Sequence, residues 1–253
     1  MTMRSILVVD FDGVICDSTE ECVVTAWNAY SNEQGMVRFA NEVPEPFQSM
    51  LRTHRNYVRT AGEYLLLIEA ARCGRTIGSQ ADYDRLFEEF PAGIQRYAAA
   101  FFAAREVLRR EDESHWLSLH TIYPGIPVNL RRLWDLFDLF VVTGKDWQSV
   151  RMFFDGFDLP IERSRVYDKD AAHDKLEAIR IIAGNAGQPL TSTVFVDDNI
   201  YHLLPPHEAG CSAFMAGWGY HTNDQIQLAK QRSIPILELE TWADLLLERK
   251  VSA

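Results

Sequence analysis

Three short, continuous apolar runs punctuate this chain, and each stops abruptly at polar residues. Residues 5–9 read SILVV and run into Asp10-Phe11-Asp12-Gly13. Residues 139–142 run into Thr143-Gly144, and residues 193–196 run into Asp197-Asp198-Asn199. Apolar stretches of this length, rich in Val and Ile and lacking alternation, predict strands buried on both faces of a parallel sheet. Shorter strands are predicted at 166–167 and 213–215. Helix-period patterns lie between the strands at 128–136, 147–154 and 175–183, and residues 234–250 read as a strand followed by an amphipathic helix. Strands alternating with helices predict an α/β fold, a Rossmann-like parallel sheet with helices on both faces. Such sheets bind ligands at the carboxyl ends of their strands, where the three polar stops fall.

Residues 18–118 break the alternation. Helices are predicted at 20–30, 45–59, 63–72, 80–90 and 92–110, punctuated by Pro44, Gly74, Gly78 and Pro91. The expected organisation is therefore a core of residues 1–17 and 119–253 with an inserted all-helical domain of residues 18–118. The connections fall at Asp17-Ser18 and near Tyr123-Pro124-Gly125.

Composition narrows the function. The 253 residues carry 36 acidic and 25 basic side chains, a formal charge of -11. That balance speaks against nucleic-acid backbone binding, which needs Lys and Arg to displace counterions, and it suits clusters of acids around a hard cation. No apolar run reaches the ~20 residues of a membrane span, and the N-terminus lacks a signal-peptide pattern. A cytoplasmic protein without membrane or nucleic-acid partners is expected. The four cysteines include no CxxC pair, so a zinc ribbon is not expected. His173, His202 and His207 lack zinc-helix spacing and are assigned no metal.

Asp10 and Asp12 carry the chemistry most directly. Two carboxylates two residues apart at a strand end repel unless a cation binds or one pKa rises. Magnesium accepts such oxygen ligands. One carboxylate can attack phosphorus while the other moves protons. The hydroxyl of Thr143 and the backbone N–H of Gly144 can hold a phosphoryl oxygen, although Thr143 or Asp146 is equally suited to capping a helix. Asp197 and Asp198, adjacent after an apolar strand, again call for a cation or donors. Lys175 can pair with an anion there, and Lys169 is its rival. Gly144-Lys145 lacks the preceding Gly of a P-loop. In the helical insertion, Arg52, Arg55 and Arg59 cluster. Arg52 and Arg55 are candidate contacts for a second anionic group on a substrate, against the alternative of a solvated helix face paired with Glu side chains.

In that order, Asp10-Phe11-Asp12-Gly13-Val14, Thr143, Lys175 and Asp197-Asp198 resemble the motifs of the haloacid dehalogenase (HAD) superfamily. The insertion is similar to that family's C1-type helical cap. The resemblance implies a Mg²⁺-dependent phosphatase acting on a small phosphorylated metabolite. By it, Asp10 is the nucleophile, Asp12 the acid and base, Thr143 the phosphoryl contact and Lys175 the charge partner of Asp10. The metal is held by Asp10, Asp12, Asp197 and Asp198, with Asp12 contributing its backbone carbonyl. One departure stands out: Asp197 takes a place that many relatives give to Gly, and His202 takes a later Asp place. A phosphosugar mutase and a noncatalytic phosphate-binding protein of the same fold are the alternatives. Substrate and oligomeric state are not legible.

Overall fold

The computed structural model describes residues 4–33, 35, 42–172 and 174–251. His173 and the extreme termini lie outside the described residues. The chain divides into two compact units, one of Met1–Asp17 with Ile122–Ala253 and one of Ser18–Thr121.

The first unit is built on a six-stranded sheet. Its strands are β1 (Ile6–Val9), β4 (Asp138–Val142), β5 (Val166–Tyr167), β6 (Thr193–Asp197), β7 (Ser212–Ala216) and β8 (Ile236–Leu237). They run in the spatial order β5-β4-β1-β6-β7-β8, and every pairing is parallel. The sequence is α/β as predicted, and β1 lies at the middle of the sheet because its neighbours are the two other strong apolar runs. Val9 aligns with Val141 on one side and Val196 on the other. Asp10, Thr143 and Asp197 consequently emerge at the same carboxyl edge. All four residues of β1 are fully buried. Since successive side chains point to opposite faces, both faces of the sheet are covered. On one face Ile6, Val8, Phe195 and Met215 pack with Ile179, Ile182, Ile200 and Leu203. These last come from α9 (Lys175–Asn185) and α10 (Ile200–Glu208). The strand order reverses between β1 and β6, the kind of position where α/β sheets place ligands. A two-residue strand, β2 (Cys16–Asp17), pairs with another, β3 (Thr121–Ile122), apart from this sheet.

Four further helices complete this unit: α7 (Ile126–Trp134), α8 (Trp147–Gly156), α11 (Asn223–Gln231) and α12 (Trp242–Val251). The α8 helix starts where Asp146 accepts hydrogen bonds from the Ser149 backbone N–H at 3.0 Å and its hydroxyl at 2.7 Å. Asp146, rather than Thr143, therefore caps it. The sequence pattern did not predict α10, because Pro205 and Pro206 fall inside it. Its N-terminus is held by the Asn199 side chain, which accepts from the Tyr201 N–H at 3.0 Å.

The second unit is helical: α1 (Thr19–Glu33), α2 (Phe47–Thr53), α3 (Tyr64–Arg72), α4 (Gln80–Glu89), α5 (Pro91–Glu111) and α6 (Glu113–Ser118). The single helix predicted over 45–59 is broken after Thr53. A 3₁₀ turn over Arg55–Tyr57 follows, and the chain becomes extended at Val58, which is thereby buried. Within this unit a buried ion pair joins α1 to α5. Arg105 donates to both oxygens of Glu21 at 2.7 and 2.8 Å, and the Thr25 hydroxyl donates to Glu21 at 2.8 Å. Tyr64 stacks on Phe101 at 5.2 Å. Among the described residues, no helix is long and apolar enough to cross a membrane.

Candidate active site

The site is assembled from the loops that leave β1, β4 and β6. Asp10 is buried directly beyond β1. Its backbone N–H donates to the Val196 carbonyl at 2.9 Å, and its Oδ1 accepts from the Phe11 N–H at 2.7 Å. Its Oδ2 faces the ammonium of Lys175 at 2.7 Å. The same ammonium lies 2.5 Å from Oδ2 of Asp197. Lys175 opens α9, whose N-cap is Asp174, and from there its side chain spans two carboxylates.

Burial without counter-charge would neutralise such carboxylates. Burial pushes the Asp10 carboxyl up, Lys175 pulls it back and the neighbouring Asp197 pushes it up again, leaving it above its ordinary value. Burial also pushes Asp197 up, but Lys175 and then His202 outweigh that and bring it down to about 2. Burial works against the Lys175 ammonium, yet Asp10 and Asp197 together hold its pKa above the usual lysine range. Charge is thus concentrated, and compensated, at one point of the sheet edge.

Asp12 lies two residues beyond Asp10 and meets a different cation. The Lys145 ammonium donates to Asp12 Oδ1 at 3.0 Å, and Lys145 is fully buried. Its ammonium also stands 5.5 Å from the centre of the Phe11 ring. In the sequence Lys145 stands out only beside Gly144, where no P-loop forms, since a lone lysine is ordinarily a surface residue. Its position two residues after Thr143, at a strand end, was the available signal. Thr143 is buried, its N–H bonds the Tyr167 carbonyl at 3.0 Å, and its Oγ1 accepts from the Lys145 N–H at 3.2 Å. The hydroxyl proton remains for an oxygen acceptor. Gly144 is exposed and has open space where a Cβ would be.

The acidic pair at the end of β6 meets two sets of partners. Asp197 faces Asp10 and Lys175, and its Oδ1 accepts from the Asn199 N–H at 2.8 Å. Asp198 Oδ2 accepts from the Tyr220 N–H at 2.6 Å. It is wedged against two glycines. A Cβ on Gly13, whose φ is +87°, would lie 2.2 Å from Asp198 Oδ2. A Cβ on Gly219 would lie 2.3 Å from both Asp198 Cβ and the Gly13 carbonyl oxygen. Only glycine permits this approach. Trp218 of the same turn donates to the Val14 carbonyl at 3.0 Å, and the Tyr220 hydroxyl donates to Asp17 at 2.8 Å.

Ligand atoms of Asp10, Asp197 and His202 all lie within 4.8 Å of one another. Two carboxylates and an imidazole at that separation fit one divalent cation. His202 enters this group despite the absence of zinc-helix spacing, because it follows Asp197 across the start of α10. Lys169 bonds Asp170 at 2.6 and 2.7 Å, leaving Lys175 as the lysine beside Asp10. In the helical unit, Arg52 is held by Glu20 through two bonds of 2.5 and 2.7 Å. Arg55 donates to the Val58 carbonyl at 3.1 Å and lies over the Tyr64 ring. Arg59 pairs with Glu63 at 3.1 Å.

Solved structures align along the whole chain. The first is a predicted phosphoglycolate phosphatase from Haemophilus somnus, 15% identical, covering 100% of both chains with a TM-score of 0.66. A predicted phosphatase from Clostridium acetobutylicum is 12% identical over 98% of this chain and 100% of its own, with a TM-score of 0.64. The fold is that of the haloacid dehalogenase-like proteins. A hydrolase described by that name, from Streptococcus pneumoniae, is 14% identical over 98% of this chain and 99% of its own, with a TM-score of 0.63. No protein-family model and no curated protein matches the sequence. The HAD fold is therefore carried by structure at identities where sequence comparison finds nothing.

Proposed function

We propose that this chain is a divalent-cation-dependent phosphohydrolase that cleaves a small phosphate monoester through an aspartyl phosphate on Asp10. The observation that carries the reading is the Lys175 ammonium between Asp10 and Asp197, 2.7 and 2.5 Å from their Oδ2 atoms. A nucleophilic carboxylate must stay ionised when an anionic phosphate approaches, and this cation favours that form. The likeness to solved structures of predicted phosphatases with the same fold supports the reaction class.

Asp10 attacks phosphorus, and the ester P–O bond breaks. The departing oxygen takes a proton from Asp12, placed two residues on and beside Lys145. Asp12, now ionised, accepts a proton from water as that water attacks the phosphorus. The bond to Asp10 then breaks, releasing inorganic phosphate and restoring the carboxylate. Thr143 donates its hydroxyl proton to a phosphoryl oxygen, and the Gly144 N–H is available to another. Magnesium is the cation expected from the sequence, and Asp10, the Asp12 carbonyl and the Asp197-Asp198 pair are its candidate holders. When bound, it neutralises charge between carboxylate and phosphate.

The test is hydrolysis of an aryl phosphate with and without EDTA, for the wild type and Asp10→Asn. Expected is turnover that the chelator removes, with a folded but inactive variant. Full turnover by Asp10→Asn would overturn the nucleophile assignment.

A further inference from the structure

His202 is where this site departs most from an all-oxygen magnesium cage. Its Nδ1 is buried and makes no hydrogen bond among the described residues, and it points at Asp197 Oδ1 from 3.4 Å. The other oxygen of Asp197 is the one that Lys175 holds. Two donors bound at about 2.1 Å to one ion stand roughly 3 Å apart at a right angle, so a 3.4 Å edge is near that of a shared cation. Lys175 occupies the Oδ2 side of both carboxylates, while the imidazole Nδ1 faces the opposite oxygen of Asp197.

The geometry points to His202 Nδ1 as a direct ligand of the catalytic cation, which makes this site selective for a divalent transition ion such as Mn²⁺ over Mg²⁺. Magnesium takes oxygen donors and keeps its waters, whereas imidazole nitrogen raises affinity along the first transition row. Coordination through Nδ1 places the ring proton on Nε2. Asp197 Oδ1 and an oxygen of Asp10 complete the protein ligands on this side. The inference rests on the phosphohydrolase reading only for the word catalytic; the ligand set stands on distances alone.

The experiment uses the full chain and the metal alone. Pulsed electron paramagnetic resonance of bound Mn²⁺ detects a coordinated nitrogen, and titration calorimetry gives Mn²⁺ and Mg²⁺ affinities. Expected is nitrogen modulation in the wild type that vanishes in His202→Asp, together with a fall of at least tenfold in the Mn²⁺:Mg²⁺ affinity ratio. His202→Gln, closer in volume, replaces the aspartate variant should that one not fold. Bound Mn²⁺ without nitrogen modulation, or an unchanged ratio, overturns the assignment; if chelator-sensitive, Asp10-dependent turnover persists, the phosphohydrolase reading survives it. Nitrogen modulation in a protein that hydrolyses no phosphate ester under any cation has the reverse meaning. Failure to bind either ion overturns both.

Discussion

The ammonium of Lys145 lies 3.0 Å from Oδ1 of Asp12, and it has no solvent exposure of its own. An acid that must give up a proton and take one back has to be aimed at the reacting oxygens. A buried ammonium at hydrogen-bond distance fixes where the carboxylate points. Lys145→Met should therefore lower kcat for phosphate release by roughly a hundredfold, within the usual range for general acid–base catalysis, with little change in KM. Steady-state kinetics beside urea unfolding check this. An unchanged kcat, or a loss of kcat that only follows a loss of folded protein, would mean that Lys145 acts on the fold and not on Asp12.

Gly13 and Gly219 hold Asp198 from two sides. Gly13→Ala would put a methyl 2.2 Å from Asp198 Oδ2 at a φ of +87°. Either the loop or the carboxylate must move, at a cost of about 1–3 kcal/mol. Loss of stability of that size in urea unfolding is expected, with loss of the Asp198–Tyr220 hydrogen bond and a fall in turnover. Gly144→Ala is the control, since open space surrounds that position; it should unfold like the wild type. Equal destabilisation by both would remove the steric explanation.

Much of this core was legible because buried parallel strands have few sequence disguises. The runs ending at Asp10, Thr143 and Asp197 became β1, β4 and β6, three adjacent strands. Their polar stops could hardly lie elsewhere than at the carboxyl edge. Legibility failed where tertiary contacts decide. Lys145 is an ordinary lysine until Asp12 and Phe11 surround it. His202, assigned no metal for want of zinc-helix spacing, has as its neighbour Asp197, which belongs to a strand end and not to its own helix. The α10 helix was hidden by Pro205-Pro206, and the helix expected over 45–59 gives way after Thr53 to a 3₁₀ turn and an extended, buried Val58.

The arginine cluster in the helical unit makes a separate prediction. Arg52 is paired with Glu20, and both side chains are more than two-fifths exposed. Such a pair contributes less than about 1 kcal/mol. Arg52→Ala should leave thermal unfolding nearly unchanged and leave KM for candidate phosphate esters where it was. A rise in KM confined to substrates with a second anionic group would instead give Arg52 a binding role that competes with Glu20.

Lys175→Met leaves two buried carboxylates facing each other without the cation between them. In the wild type, Asp197 is depressed to about 2. A carboxyl with a lowered folded-state pKa contributes stability that is complete above its unfolded value near 4 and lost as pH falls toward the folded value. Asp10 is shifted the other way. Its contribution is complete below the unfolded value and declines as pH rises through the folded one. Removing the ammonium takes away the first contribution and deepens the second, since both carboxyls then move up. The variant should be about 3–5 kcal/mol less stable than the wild type at pH 7, the usual result of breaking a buried ion pair. The gap should narrow as pH falls from 6 to 4, because protonating one carboxyl relieves the repulsion. Urea unfolding across that range, with a chelator present so that no cation substitutes for the ammonium, measures the gap directly. A deficit of constant size would mean that Lys175 stabilises the chain by packing, and that the two carboxylates are held apart by something else.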